Sequence, residues 1–244
     1  MHYVNNWAVV TPMANEEKDF RVFTEELSAV FDKLTGGTAY LIIDHISNDR
    51  TLELSLDLSA RDSRFITVWA PENKNVVDAY IRGYREAYNN NHDLIIEMDA
   101  GMSHDPKALP LFLRVLNEGY ECAFGSRFIN GGSMADSSFP RKILSKCGTI
   151  LANIFLGTQM FDMTSGYQGF NRNIVKQFLD YPLLSKAHFY QTEIRFLLRN
   201  RSFAEIPIHY NATSPSVSNK ALINSLEVFL IYIMKRFNGK GIAL

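Results

Sequence analysis

Short apolar runs alternate with stretches long enough for helices, and this rhythm limits the chain to few architectures. Residues 7–11 (WAVVT), 40–43 (YLII), 64–69 (RFITVW), 94–98 (LIIEM) and 122–124 (CAF) read as buried strands. Between the first two, Phe20, Phe23, Leu27, Val30, Phe31 and Leu34 share one helical face, and Gly36 and Gly37 break it. Residues 76–89 form a helix with Ala79, Tyr80, Gly83 and Ala87 on one side, and Leu109, Phe112, Val115 and Leu116 continue a helix begun at Pro106. One stretch is divided. Leu52, Leu54, Leu56 and Leu58 alternate like a strand, while the Ser47/Asn48/Asp49 start signal and the surrounding rhythm favour a helix. The expected class is α/β, with a mainly parallel sheet flanked by helices on both faces.

After residue 125 the pattern loosens. A Gly- and Ser-rich loop (130–140) precedes an amphipathic helix carrying Ile143, Leu144, Cys147, Ile150, Leu151, Ile154 and Phe155. A polar turn (162–166) leads to a strand at 167–170, residues 194–198 read as helix, and 204–210 read as a strand that Pro207 places at an edge. No linker composition appears, so residues 1–220 are expected as one domain. Residues 221–244 form an amphipathic helical tail, either packed on that domain or lying in a membrane interface.

A net charge of −1 gives no reason to expect a nucleic-acid partner. The cysteines, Cys122 and Cys147, form no C-x-x-C pair and fit a reducing compartment. No signal peptide is seen at the N-terminus, and the longest apolar run near the C-terminus falls far short of the ~20 residues that span a bilayer. A cytoplasmic protein, peripheral on the membrane's cytoplasmic face, is expected. Oligomeric state is not readable.

Strand ends carry the polar residues. The first ends near Pro12, Asn15 and Glu16, the second at Asp44 and His45, the fourth at Asp99, Ala100 and Gly101. In an open parallel sheet these ends share one edge, where ligands bind. Asp99 and Asp105 either cap the next helix or, for Asp99, meet a cation and a phosphate. Asn15 is placed to cap the first helix.

In order along the chain, VVTPMANEE, IIDHISNDRT, ENKNVVDAYIRGYREA, EMDAGMSHDP, FGSRFINGG, Arg141, DMTSGYQGFNR and QTEIRFLLRN resemble the motifs of family-2 glycosyltransferases. The likeness is nearest to the dolichol- and polyprenol-phosphate mannose synthases. It implies a Rossmann-like GT-A fold, a GDP- or UDP-linked sugar donor, Mg²⁺ or Mn²⁺, and inverting transfer to a lipid phosphate or another membrane-linked acceptor. By the same resemblance Pro12, Asn15, Glu16, Asp44, His45, Asp99, Ala100, Arg127 and Arg141 border the donor, with Asp99 toward the metal. Arg127 and Arg141 would be cationic partners for phosphates, and Thr164, Ser165, Gln191 and Lys220 would lie on the acceptor side. Asp99, Arg127 and Glu193 are the expected catalytic set, with Glu193 the base if the acceptor is a hydroxyl.

Departures from the pattern are specific. Gly101 replaces the second acid of the D-x-D motif, His45 the second acid of V-D-D, and Ala14 the first-motif tyrosine. The late basic motif is reduced to TSPSVSNK, with Thr213 in place of arginine. Two other functions stay open: transfer to a saccharide hydroxyl, and a non-catalytic nucleotide-sugar-binding subunit.

Overall fold

The structure is a computed structural model that describes residues 6–101, 103–211, 219–238 and 243–244. Its centre is a seven-stranded sheet. In chain order the elements are β1 (Trp7–Met13), α1 (Phe20–Phe31), β2 (Gly37–Ile43), α2 (Thr51–Arg61), β3 (Phe65–Trp69), α3 (Val76–Asn89), β4 (Leu94–Glu97), α4 (Leu109–Asn117) and β5 (Cys122–Ser126). Then come α5 (Phe139–Leu156), β6 (Gln168–Asn171), α6 (Arg172–Leu179), α7 (Tyr190–Leu197), β7 (Phe203–Pro207) and α8 (Asn219–Phe237). The strand order is β3-β2-β1-β4-β6-β5-β7, with β6 alone antiparallel to its neighbours. β7 lies at the edge, as Pro207 requires.

Successive strand residues point to opposite faces, and both faces are covered. Ala8, Val10, Tyr40 and Ile42 join the core beneath α3, α6 and α7, while Trp7, Val9, Leu41 and Ile43 join the core beneath α1 and α4. α3 lies very close to β1. A Cβ added at Gly83 would stand 2.1 Å from Val10 Cγ1, so glycine is needed there for contact between helix and strand.

The divided stretch is a helix, α2. Its buried stripe is hydroxylic: Thr51 and Ser55 are buried, and Ser55 and Ser59 Oγ both lie within hydrogen-bond distance of Thr67 Oγ1, at 2.7 and 2.6 Å. Several boundaries differ from the sequence reading, and two of them bear on the site. β1 runs through Pro12 to Met13, because its pairing with β4 ends at Val10, before the proline's missing N–H could break the ladder. α1 begins only at Phe20, so Asn15 is not its cap. With φ at +58°, Asn15 instead joins the β1 and β2 loops, accepting from Asn48 N (2.9 Å) and donating to Ile46 O (3.2 Å).

The segment between α5 and β6 has no regular structure and is fixed by buried charge. Arg127 donates from Nε and Nη2 to Asp162 (2.7 and 2.8 Å) and from Nη2 to Thr164 Oγ1 (2.6 Å). Its backbone N–H also donates to Asp162 Oδ2, at 3.0 Å. Arg195 on α7 donates to the backbone oxygens of Asp162, Ser165 and Gly125. Burial alone would raise the Asp162 pKa, but the hydrogen bonds and charge of Arg127 hold it below the usual carboxylate range. Burial pulls the Arg195 guanidinium down to about 10, which still leaves it charged at neutral pH.

The tail is packed. Val228 and Tyr232 of α8 are buried in the core that covers α7, and Arg236 donates to the C-terminal carbonyls of α5, Phe155 O at 2.7 Å and Ile154 O at 3.2 Å. Glu193 secures it. Its carboxylate is fully buried and accepts from Leu184 N (2.7 Å), Ser185 N (2.9 Å) and Tyr232 Oη (2.6 Å).

Two expected outcomes follow from this packing. Asp162→Asn leaves Arg127 buried and unpaired, and urea denaturation at pH 7 should show a loss of about 3–5 kcal/mol. The wild-type pair contributes fully above the ordinary carboxylate pKa and is lost as pH falls through the lowered folded value, so the deficit should shrink in acid. Gly83→Ala should cost about 1–3 kcal/mol by overpacking, despite alanine's better helix propensity.

Candidate active site

The sheet order changes direction between β1 and β4. The connections from β1 lead to β2 and β3 on one side, and β4 lies on the other. This switch point opens a crevice beyond the strands' C-terminal ends. Pro12 and Glu16 approach it from β1, Asp44 from β2, and Asp99 from β4.

Asp99 is fixed on one side and open on the other. Its Oδ1 accepts a short hydrogen bond from Tyr80 on α3, and its side chain is 33% exposed. Asp99 N donates to His104 Nδ1 at 3.0 Å, so the proton of the neutral ring is on Nε2, which lies 3.8 Å from Oδ2. Burial lowers the His104 pKa, favouring that neutral form. The ring stacks on Tyr167, with centroids 5.0 Å apart, so His104 acts as a packing residue. Oδ2 has no hydrogen bond among the described residues and is the atom available to a cation, through which it could meet a donor phosphate.

Beneath Asp99 lies a buried polar network. Glu97 accepts from Tyr84 Oη (2.8 Å), Tyr190 Oη and Gln168 Nε2 (3.2 Å), with Gln191 Nε2 at 3.5 Å. Burial pushes its carboxyl up to about 8, against the hydrogen bonds it accepts, which pull it down. Tyr190 stacks on Tyr80 at 5.3 Å, linking this network to the residue that holds Asp99.

Glu16 comes from the opposite wall. A Cβ built on Gly101 would lie 3.0 Å from Glu16 Oε2, so the glutamate borders the space a side chain at 101 would enter. Burial, followed by the charges of Asp19, Asp99 and Asp49, raises the Glu16 pKa. An open oxygen on Asp99, a second carboxylate and an unfilled cradle at Gly101 make a donor set that suits Mg²⁺ or Mn²⁺ sharing a ligand's phosphates.

The other expected residues divide. Asp44 is buried and accepts from Ile46 N at 2.9 Å. His45 is exposed, with Nδ1 3.0 Å from Pro71 O. Ala100 is buried beside Asp99. Gln191 packs over Gly166, where an added Cβ would be 2.2 Å from its Nε2 and 3.4 Å from Asp99 Oδ1. Arg141, in the first turn of α5, has a buried Nε without a hydrogen-bond partner among the described residues.

Three expected roles are corrected. Arg127 is not a free phosphate cation, because its charge is neutralised by Asp162. Thr164 and Ser165 belong to the same buried knot, one accepting from Arg127 and the other offering its carbonyl to Arg195. Glu193 is no acceptor base, since both oxygens are committed inside the core. Lys220 lies exposed in the first turn of α8, away from these contacts, and Thr213 lies outside the described residues.

Two cations were not singled out from sequence. Lys142 and Lys146, one helical turn apart on α5, line a cavity of about 470 Å³ with Arg127, Phe128, Ser133, Met134, Ala135, Phe139 and Ile143. The signal was present: both lysines interrupt an apolar helix at i, i+4 spacing.

The sequence is 27% identical over 190 residues to the polyprenol monophosphomannose synthase of Mycolicibacterium smegmatis, covering 77% of this chain and 72% of that protein. It is 27% identical over 172 residues to the undecaprenyl-phosphate mannosyltransferase of Micrococcus luteus, covering 70% of each. In fold it is similar to the glucosyl-3-phosphoglycerate synthase of Mycobacterium tuberculosis solved with Mn²⁺, UDP-glucose and phosphoglyceric acid. That match has a TM-score of 0.70 at 16% identity and covers 94% of this chain and 80% of the other. The profile of glycosyl transferase family 2 matches residues 8–179, a span that contains β1, β4 and the crevice between them; the chain belongs to this family and is a glycosyltransferase.

Proposed function

We propose that this enzyme transfers a hexose, with inversion, from a nucleotide-diphosphate sugar to a polyprenyl phosphate at a membrane surface. The observation that carries this reading is the cavity under α5. It combines the ammonium groups of Lys142 and Lys146 with an apolar lining from Phe128, Met134, Phe139 and Ile143. An anionic head on a hydrocarbon chain matches both features. The cavity also borders a broad exposed apolar surface. Phe139 is 75% exposed, and Ile143, Ile150 and Ile154 on α5 and Ile223, Leu226 and Phe237 on α8 are exposed as well. No helix among the described residues is long and apolar enough to cross a membrane, so this surface suits peripheral contact with a bilayer. The acceptors named for the mannosyltransferase relatives support the same choice.

The chemistry needs little from the protein beyond placement. The phosphate oxygen of the acceptor is already anionic, so it attacks the anomeric carbon without a base. The new C–O bond forms as the bond to the donor's diphosphate breaks, and the nucleoside diphosphate leaves with the electron pair. The burial of Glu193, which removes the expected base, is compatible with this acceptor and disfavours a saccharide hydroxyl. Asp44 and the β1 loop border the nucleoside, and Asp99 faces the diphosphate. Mg²⁺ or Mn²⁺, when bound beside Asp99, would offset the charge that develops on the leaving diphosphate. Lys142, Lys146 and Arg141 hold the acceptor's phosphate against the repulsion of the donor's phosphates.

Replacing Lys142 and Lys146 together by alanine should raise KM for a short-chain polyprenyl phosphate about tenfold or more and leave donor KM unchanged. Steady-state kinetics with each substrate varied would show this, and equal effects on both substrates would count against the assignment. Phe139→Asp with Leu226→Asp, both at exposed positions, should abolish flotation with phosphatidylglycerol vesicles at unchanged Tm; wild-type flotation would remove the membrane surface from the proposal.

A further inference from the structure

We propose that Glu16 supplies the second carboxylate of the cation site, in place of the acid that the turn after β4 lacks at Gly101. This rests on the reading of Asp99 as a cation residue and names its partner.

Backbone contacts hold Glu16 in place. Its N–H donates to Thr51 Oγ1 at 2.8 Å, and its carbonyl accepts from Asp19 N (3.0 Å) and Phe20 N (2.8 Å), where the chain enters α1. The side chain is therefore not needed as a cap. Its carboxylate is partly buried and makes no hydrogen bond or ion pair among the described residues. A carboxylate in that condition loses part of its water without gaining a protein donor, an arrangement that a bound cation would resolve.

Gly101 explains where this carboxylate points. Two residues after Asp99, the turn reaches a φ of +70°, and a Cβ there would lie 3.0 Å from Glu16 Oε2 and 3.9 Å from its Cδ. An acidic side chain at 101 and the Glu16 carboxylate would thus compete for one volume beside Asp99. Since β1 and β4 are adjacent parallel strands, a carboxylate from the β1 loop reaches this volume from across the crevice. The second acid has changed strand while the volume it serves has stayed the same. Two carboxylates plus the donor's phosphates form an ordinary Mg²⁺ or Mn²⁺ donor set.

The test is Mn²⁺ binding to the full-length protein, read by the EPR signal of free Mn²⁺ with no nucleotide, with UDP and with GDP. Glu16→Gln should weaken Mn²⁺ at least tenfold. Gly101→Asp combined with Glu16→Ala, which clears the shared volume, should restore it, since aspartate tolerates a positive φ better than most residues. Gly101→Asp alone should not tighten binding, because the two acids then crowd one volume. Wild-type Mn²⁺ affinity in Glu16→Gln overturns the proposal, as does a folded double variant that fails to recover. Should the double variant not fold, nucleotide affinity decides. Glu16→Gln should weaken the better-bound of UDP and GDP in Mn²⁺ and leave it unchanged in EDTA; equal losses in both would mean that Glu16 contacts only the nucleoside. Asp99→Asn separates the underlying reading. If it binds Mn²⁺ like wild type while Glu16→Gln does not, the reading of Asp99 falls and Glu16 remains a cation residue without that partner. If the wild type binds no Mn²⁺ under any of the three conditions, both readings fall.

Discussion

The pairing of Arg127 with Asp162 is the contact on which the arrangement of this site depends. Asp162 belongs to a segment with no helix or strand of its own, and that segment must still sit still against the ends of β5 and β6. The carboxylate does this by taking three hydrogen bonds from Arg127, while Arg195 gathers the surrounding carbonyls. Glu205 on β7 accepts from Phe161 N and Asp162 N and closes the arrangement from the edge of the sheet. Charges buried this fully are expensive to desolvate and add little net stability, yet removing one partner is severe. Their use here is in fixing geometry. They hold Thr164 to Gly166 beside Gln191 and Asp99, and they spend Arg127's charge inside the protein.

A second buried system sets the electrostatics of the crevice floor. Glu97 and Asp99 are two residues apart on the same chain segment, and both are acids. Burial pushes the first up to about 8, against the tyrosine hydroxyls and the Gln168 amide that donate to it and pull it down, and this eases its repulsion with Asp99. The stacked Tyr80 and Tyr190 rings then tie the orientation of Asp99 to a core element, α7.

The apolar rhythm carried the fold well because each strand ends where its buried run ends, and the polar residues at those ends had to share an edge. α2 was harder to read. Its leucines alternate and three of them pack only partly against the core, while the residues it buries are Thr51 and Ser55, a hydroxyl stripe that apolar periodicity does not reveal. Charged site residues were harder still. Arg127 and Glu193 sit in motifs that suggest chemistry, yet their fates were decided by Asp162 and Tyr232, 35 and 39 residues away in sequence. Motif position locates a charge along the chain. Whether the charge is available depends on a partner that only the folded structure supplies.

The link from Glu193 to Tyr232 bears on how α8 can meet a lipid surface. A tail joined to its domain by apolar contact alone could swing out, exchanging one greasy surface for another. Here, separation would strip a hydroxyl from a fully buried carboxylate and pull Arg236 from the end of α5. The helix is therefore a keel, not a mooring line. Seated in a headgroup layer, it would hold the mouth of the α5 cavity at a constant height and tilt, and the acceptor phosphate would have to be presented at that depth. Chain length beyond what spans that fixed distance would add nothing to recognition, making the enzyme a gauge of where the phosphate sits and indifferent to how much hydrocarbon follows it.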